Sequence, residues 1–134
     1  MTIYEIDGAE FSTLEGFFSA FYRTATPDWN PAFPNLDGFN DVLRGGFGTP
    51  EGGFTIRWKN HQISRERLGY PETVRQLERR FESCHPANRV AVAQRLEEAR
   101  VQSGSTAFDW VVEIIREHGP GGKEEKDGVQ LVLD

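Results

Sequence analysis

The chain opens with alternating apolar and polar positions and then changes to helical spacing. Residues 2–6 alternate before an aspartate-glycine pair, which is typical of a strand that ends in a tight turn. Ser12, followed three residues later by Glu15, has the form of a capping box. The apolar residues after it recur every three or four positions. The pattern therefore predicts a strand and then a helix over about 13–23 that packs on the sheet.

A proline-rich loop separates this helix from a second one. Pro34 disfavours helix before it, Asn35 is a favoured N-cap, and the apolar residues from Leu36 onwards have the spacing of one buried helical face. A helix is therefore predicted over about 36–45. After a glycine-rich exit, residues 54–58 alternate and predict a second strand.

The second half of the chain is mainly helical in its spacing. Residues 71–103 predict two amphipathic helices that form a hairpin, with Pro86 interrupting them. A further, largely buried helix is predicted from Ser105, and a nearly continuous apolar run at 129–133 predicts a third strand. Strands that alternate with helices predict an α/β domain over 1–134, in which a small three-stranded parallel sheet packs with helices.

Composition limits the kind of partner. The chain has 134 residues, which suits one domain, and its 21 acidic and 15 basic residues give a net charge of −6. This balance argues against a nucleic-acid surface and favours a basic protein partner. The single cysteine, Cys84, excludes an internal disulfide, and the first residues lack the features of a signal peptide. No apolar run approaches the roughly 20 residues of a membrane span, so we expect a cytoplasmic protein that binds neither nucleic acid nor a membrane.

Two carboxylates one helical turn apart are the most informative candidate chemistry. Asp37 and Asp41 differ by about 40° around the predicted helix, so both face outward on one side, with the bare backbone of Gly38 beside them. One interpretation is local: Asp37 supports the helix start, and Asp41 pairs with Arg44. The other is that the two acids form a patch that contacts a partner. The local physical chemistry leaves both open.

Other groups lack the spacing of a known site. His61, Cys84, His85 and His118 do not have the spacing of a zinc site, so neither a metal nor another cofactor is expected. An acid and base pair for catalysis needs desolvation, which an exposed helix does not provide. The chain is therefore not expected to be an enzyme.

Five segments coincide in order and character with one protein family. They are the strand ending at Asp7-Gly8, the block 35–43, the strand 56–60, the helix end 112–117 and the final run 128–133. In these segments the chain resembles the barstar family, the intracellular protein inhibitors of secreted bacterial ribonucleases. They cover about half of the chain, and the block 35–43, with its aspartates four residues apart, is the most specific.

The resemblance implies a function and a site. In the family, the helix with this block and the loop before it insert into the ribonuclease active site, where carboxylates take the place of substrate phosphates. The resemblance assigns the central contact to Asp41, a neighbouring contact to Asp37 and a further acidic contact to Glu117, with Asn35 and Gly38 in the same surface. It implies an immunity-type inhibitor of a basic ribonuclease or nuclease-like toxin.

The chain also departs from the family. Aromatic residues and a glycine often precede the block, whereas this chain has two prolines within 31–34, so Trp29 or Phe33 is expected to supply the aromatic contacts. Gly46 lies where the best-known member has a tryptophan. The hairpin is longer than the corresponding region of that member, so it is expected to be an insertion at about 71–103.

The insertion leaves an alternative function open. The hairpin either enlarges the core, which its ordinary apolar spacing favours, or forms a dimer, or extends the interface. Its charged faces are interpreted as solvated surface. The alternative is a barstar-like scaffold that serves as a non-inhibitory interaction or regulatory module through the hairpin, with Arg75 and Arg79 more important for the complex than Asp37 or Asp41. The sequence does not predict the oligomeric state.

Overall fold

The computed structural model describes residues 2–28, 35–46 and 48–134, in which three strands and six α-helices alternate. Short 3-10 turns follow β1, join α4 to α5 and precede β3. The strands and helices are β1 Ile3–Asp7, α1 Leu14–Ala25, α2 Leu36–Val42, β2 Thr55–Lys59, α3 His61–Arg67, α4 Tyr70–Ser83, α5 Arg89–Arg100, α6 Ala107–Glu117 and β3 Gln130–Leu133.

The three strands form one parallel sheet in the order β1-β2-β3. Ile3 lies opposite Thr55, which lies opposite Gln130 in turn. The predicted α/β class with a three-stranded parallel sheet is confirmed. In the described part of the chain, none of the helices has the length and hydropathy that crossing a bilayer requires.

One face of the sheet holds the core, and the other faces solvent. Ile56 and Trp58 on β2 are fully buried, whereas Arg57 between them pairs with Glu5 on β1. Parallel sheets are usually covered on both faces, and a strand covered on both faces would be apolar throughout. In β3, exposed and partly buried residues alternate instead, and Val132 is exposed. The continuous apolar run was therefore a misleading signal of burial on both faces.

Aromatic side chains from α1, α2 and the sheet fill the core. The Phe17 ring of α1 lies 4.9 Å from the Trp58 ring and 5.3 Å from the Phe39 ring, measured between centroids. The buried Trp58 Nε1 donates to Ser64 Oγ at 3.0 Å, so the indole has its hydrogen-bond partner. The core therefore ties α1 and α2 to the central strand.

The predicted capping box before α1 is wrong. Thr13 is the N-cap, and its side chain accepts a hydrogen bond from the Gly16 N–H at 3.0 Å. Ser12 and Thr13 are both good capping residues, so sequence alone does not choose between them. Glu15 instead pairs with Arg75 on α4.

Two helix boundaries also differ from the sequence-based prediction. The acidic helix α2 ends at Val42 rather than near 45, because turns continue the chain from Leu43. The helix α3 was not predicted. It begins after Asn60, whose positive φ of 54° lies in the left-handed region, and Asn60 makes no side-chain cap.

The predicted hairpin consists of α4 and α5, with a 3-10 turn at Pro86–Asn88 between them. Leu77, Leu96 and Ala99 form a second, smaller apolar cluster, and Trp110 of α6 packs against both this cluster and the main core. The hairpin thus has a small core of its own, joined to the rest of the molecule through α6.

The interpretation of the hairpin's charged faces as solvated surface is correct for Arg79, Arg80 and Glu82 on α4, which are exposed, whereas Arg75 is only partly exposed. Glu72 is buried and accepts hydrogen bonds from the Leu14 N–H at 2.8 Å and from Arg75 Nε at 2.6 Å. Arg75 and Arg79 both also pair with Glu15 on α1. These charges therefore attach α4 to the first turn of α1.

Candidate functional site

The N-cap of α2 forms as predicted. Asn35 Oδ1 accepts a hydrogen bond from the Gly38 N–H at 2.7 Å, which satisfies one of the free donors at the helix start. Gly38 is buried, however, so it does not present the bare backbone expected beside the acids. A role for Asn35 or Gly38 in partner binding stays a prediction.

Asp37 and Asp41 are both exposed, as the helical spacing predicted. Arg44 Nη1 lies 3.3 Å from Asp41 Oδ1, and the two side chains are 52% and 56% exposed. An exposed pair of this kind contributes about 0 to 1 kcal/mol. The local interpretation is thus correct about Arg44, but the pair is weak enough for a partner's cation to replace it.

The opposite side of α2 is fixed in the core. Phe39, Val42 and Leu43 are buried, and the Phe39 ring packs edge-on against the rings of Phe17 and Phe21. A helix held in this way loses little conformational freedom when a partner binds its outer side. The acids are therefore presented on a preorganised support.

A buried histidine connects α2 to the end of α6. His118 is only 1% exposed, and its Nε2 lies 2.7 Å from Asn40 Oδ1 on α2. Its Nδ1 lies 2.7 Å from Asp127 Oδ2. Asn40 precedes Asp41, and Glu117 precedes His118. This contact therefore brings the helix segments of two predicted partner contacts next to each other.

The outer side of α6 adds two carboxylates. Glu113 and Glu117 are exposed and one helical turn apart, like Asp37 and Asp41 on α2. We call these four residues the acidic face. Glu113 was not singled out in the sequence, although its i, i+4 spacing with Glu117 was the signal that marked the other pair.

The remaining candidate residues are two aromatic residues before α2 and the possible metal ligands. Trp29 and Phe33 lie outside the described residues. Within the described ranges, no group of three or more His, Cys, Asp or Glu side chains is placed to hold a metal. His118, one of the four candidate ligands, instead joins two elements through hydrogen bonds.

Comparison with known proteins identifies the family. The model of the family described as barstar, the barnase inhibitor, matches residues 1–89, about two thirds of the chain. This range contains α2 and the parallel pair β1 and β2, and it ends at the first residue of α5. No curated protein and no solved structure matches the chain. Members of the family are inhibitors rather than enzymes. The chain belongs to the barstar family of barnase inhibitors.

Proposed function

We propose that the chain is an immunity-type inhibitor that binds a basic ribonuclease or nuclease toxin and blocks its active site with α2. The observation that carries the proposal is the exposed pair Asp37 and Asp41 on a helix whose other side is buried in the core.

We further propose that the protein is located in the cytoplasm of a bacterial cell. We also propose that the chain forms one domain over 1–134, in which α4 and α5 are an insertion.

Electrostatics supports a basic active site as the target. Active sites of ribonucleases bind the negatively charged phosphates of RNA with cationic groups. Carboxylates are also negatively charged, so the same cationic groups can bind them. A net charge of −6 speeds encounter with a cationic protein, and charge pairs desolvated in the complex can be strong hot spots. The acidic face lies on the outer sides of neighbouring helices. It can therefore contribute both to the rate of encounter and to charge pairs within the complex.

The residues have separate roles in this proposal. Asp41 makes the central contact with the arginines and catalytic histidine of the nuclease. These groups replace Arg44 as the partner of the Asp41 carboxylate. Asp37 and Glu117 make neighbouring contacts, with Asn35 and Gly38 supporting the helix start. Trp29 and Phe33, which precede α2 in the sequence, supply the aromatic contacts.

Titration of barnase with the chain tests the function. The initial rate of RNA cleavage is expected to fall in proportion to the chain added and to reach zero near a one-to-one ratio. Heat-unfolded chain at the same concentration controls for nonspecific charge effects. Full nuclease activity in an excess of folded chain on the order of micromolar would reject the proposed inhibition of barnase-type enzymes.

The alternative of a non-inhibitory module that uses the hairpin has less support. Its two contact residues, Arg75 and Arg79, are engaged with Glu15, and Arg75 also with the buried Glu72. Charge reversal at these positions would detach α4 from α1. A loss of binding in such variants would therefore report on the fold rather than on a contact surface.

A further inference from the structure

We infer that the partner surface extends beyond α2 to helix α4 of the hairpin, through a groove that receives an arginine or lysine side chain of the nuclease. This inference rests on the proposed function. It adds a second contact region and gives the hairpin a part in recognition.

The groove lies between α1, the start of α2, α4 and α6, and it has a volume of about 470 Å³. Its floor includes the buried Phe18 and Leu77 together with the half-buried Trp110. This volume falls within the range of about 300 to 1,000 Å³ that holds compact organic groups. The groove is therefore large enough for one long side chain and part of the loop that carries it.

The groove is continuous with the acidic face. Asp37 belongs to the acidic face and also lines the groove, and Glu82 on α4 lines it as well. A protein that covers the outer side of α2 would therefore lie over the mouth of the groove. Contact with α4 then requires no movement of the hairpin.

The charges of the groove favour a cation. Arg79 and Glu15 pair with each other across it. Within the described ranges, three charged residues of the groove lining form no ion pair: Asp37, Glu82 and Arg80. The unpaired charges of the lining are therefore two negative and one positive. An arginine or lysine can lay its aliphatic stem on an apolar floor and place its charge between carboxylates, and an indole ring attracts a cation over its face. A basic nuclease carries such side chains at its surface.

The test uses two exposed positions on α4 and two matched controls. Glu82→Lys reverses the charge of the groove, and Ser83→Trp fills it. Glu78→Lys makes the same change of net charge on the same helix but outside the groove lining, and Gln94→Trp adds the same side chain on α5. Binding of each variant to barnase is measured by calorimetry, with thermal unfolding to verify the fold.

Glu82→Lys and Ser83→Trp are each expected to raise the dissociation constant about tenfold above that of the matched control. If both groove variants bind like their controls while Asp41→Ala loses affinity, the groove proposal is wrong and the proposed function stands. If the wild-type chain does not bind barnase, the groove contact and the proposed inhibition of barnase-type enzymes are both rejected. If Ser83→Trp only converts a dimer to a monomer in sedimentation, the occupant is a second copy and the nuclease contact is rejected.

Discussion

Replacing Asp41 with alanine is expected to weaken the binding of barnase by at least about 30-fold without loss of stability. In the free chain Asp41 is exposed, and its pair with Arg44 contributes about 0 to 1 kcal/mol. In the proposed complex its charge would be desolvated against cations of the active site. Truncating one partner of such a pair costs about 2 to 5 kcal/mol, because the opposing cations stay buried without a partner.

Two further variants separate this contact from a general effect of charge. Glu78→Ala removes the same net charge at an exposed position of α4 and is expected to change the affinity by less than about threefold. Arg44→Ala releases Asp41 from its pair and is expected to keep or improve the affinity. Calorimetric titration measures all three. An Asp41→Ala variant that binds within about threefold of wild type would remove this residue from the interface.

Removing the guanidinium of Arg75 is expected to lower the free energy of unfolding by about 2 kcal/mol. The Glu72 side chain is 6% exposed, and Arg75 is its charge partner. Arg75 also reaches Glu15 at 2.8 Å, so it joins α4 to α1. Arg75→Met keeps the apolar stem but leaves the Glu72 carboxylate without its cation. Arg75 is 41% exposed, which keeps the expected loss below that of a fully buried pair.

The effect of this pair depends on pH with a defined sign. Burial by itself would raise the pKa of Glu72, but hydrogen bonds from Arg75, the Leu14 N–H and Gln76 outweigh it and lower the pKa below its ordinary value of 4.5. A pKa lowered by folding contributes stability that is fully present above the unfolded pKa and is lost as the pH falls through the folded pKa. The difference between wild type and Arg75→Met is therefore expected to shrink below about pH 4.5.

Urea unfolding at neutral and acid pH measures this difference. Arg100→Met is the matched control, because Arg100 pairs with the exposed Glu97 on α5, and its loss is expected to stay under about 0.5 kcal/mol. Equal losses in the two variants at neutral pH would contradict the role of Arg75 in attaching the hairpin.

Local patterns were sufficient where local interactions determine the structure. Alternation located β1 and β2, a run of apolar residues located β3, and the sequence of Pro34, Asn35 and apolar residues located the start of α2. The capping box failed because Glu15 has stronger partners on α4, about 60 residues away in the chain. Helix α3 was missed because its seven residues are mostly polar and no side chain caps its start.

For the site, as for the fold, the features set by local spacing were predictable, and those set by long-range contacts were not. The spacing of Asp37 and Asp41 was enough to place both on an outer surface, since period alone sets the direction of side chains on a helix. The contact between His118 and Asn40 joins positions 78 residues apart, and no local pattern marks it. The groove at Trp110 likewise depends on how four helices meet, so the expectation of a largely buried helix did not reveal it.

Competition at the nuclease active site tests the central claim most directly. The apparent dissociation constant of the complex between barnase and the chain is measured as a mononucleotide that occupies the substrate site is added. If α2 takes the place of substrate phosphates, the apparent constant rises linearly with nucleotide concentration. An apparent constant that stays unchanged when the substrate site is saturated would contradict the account, because the chain would then bind elsewhere on the enzyme.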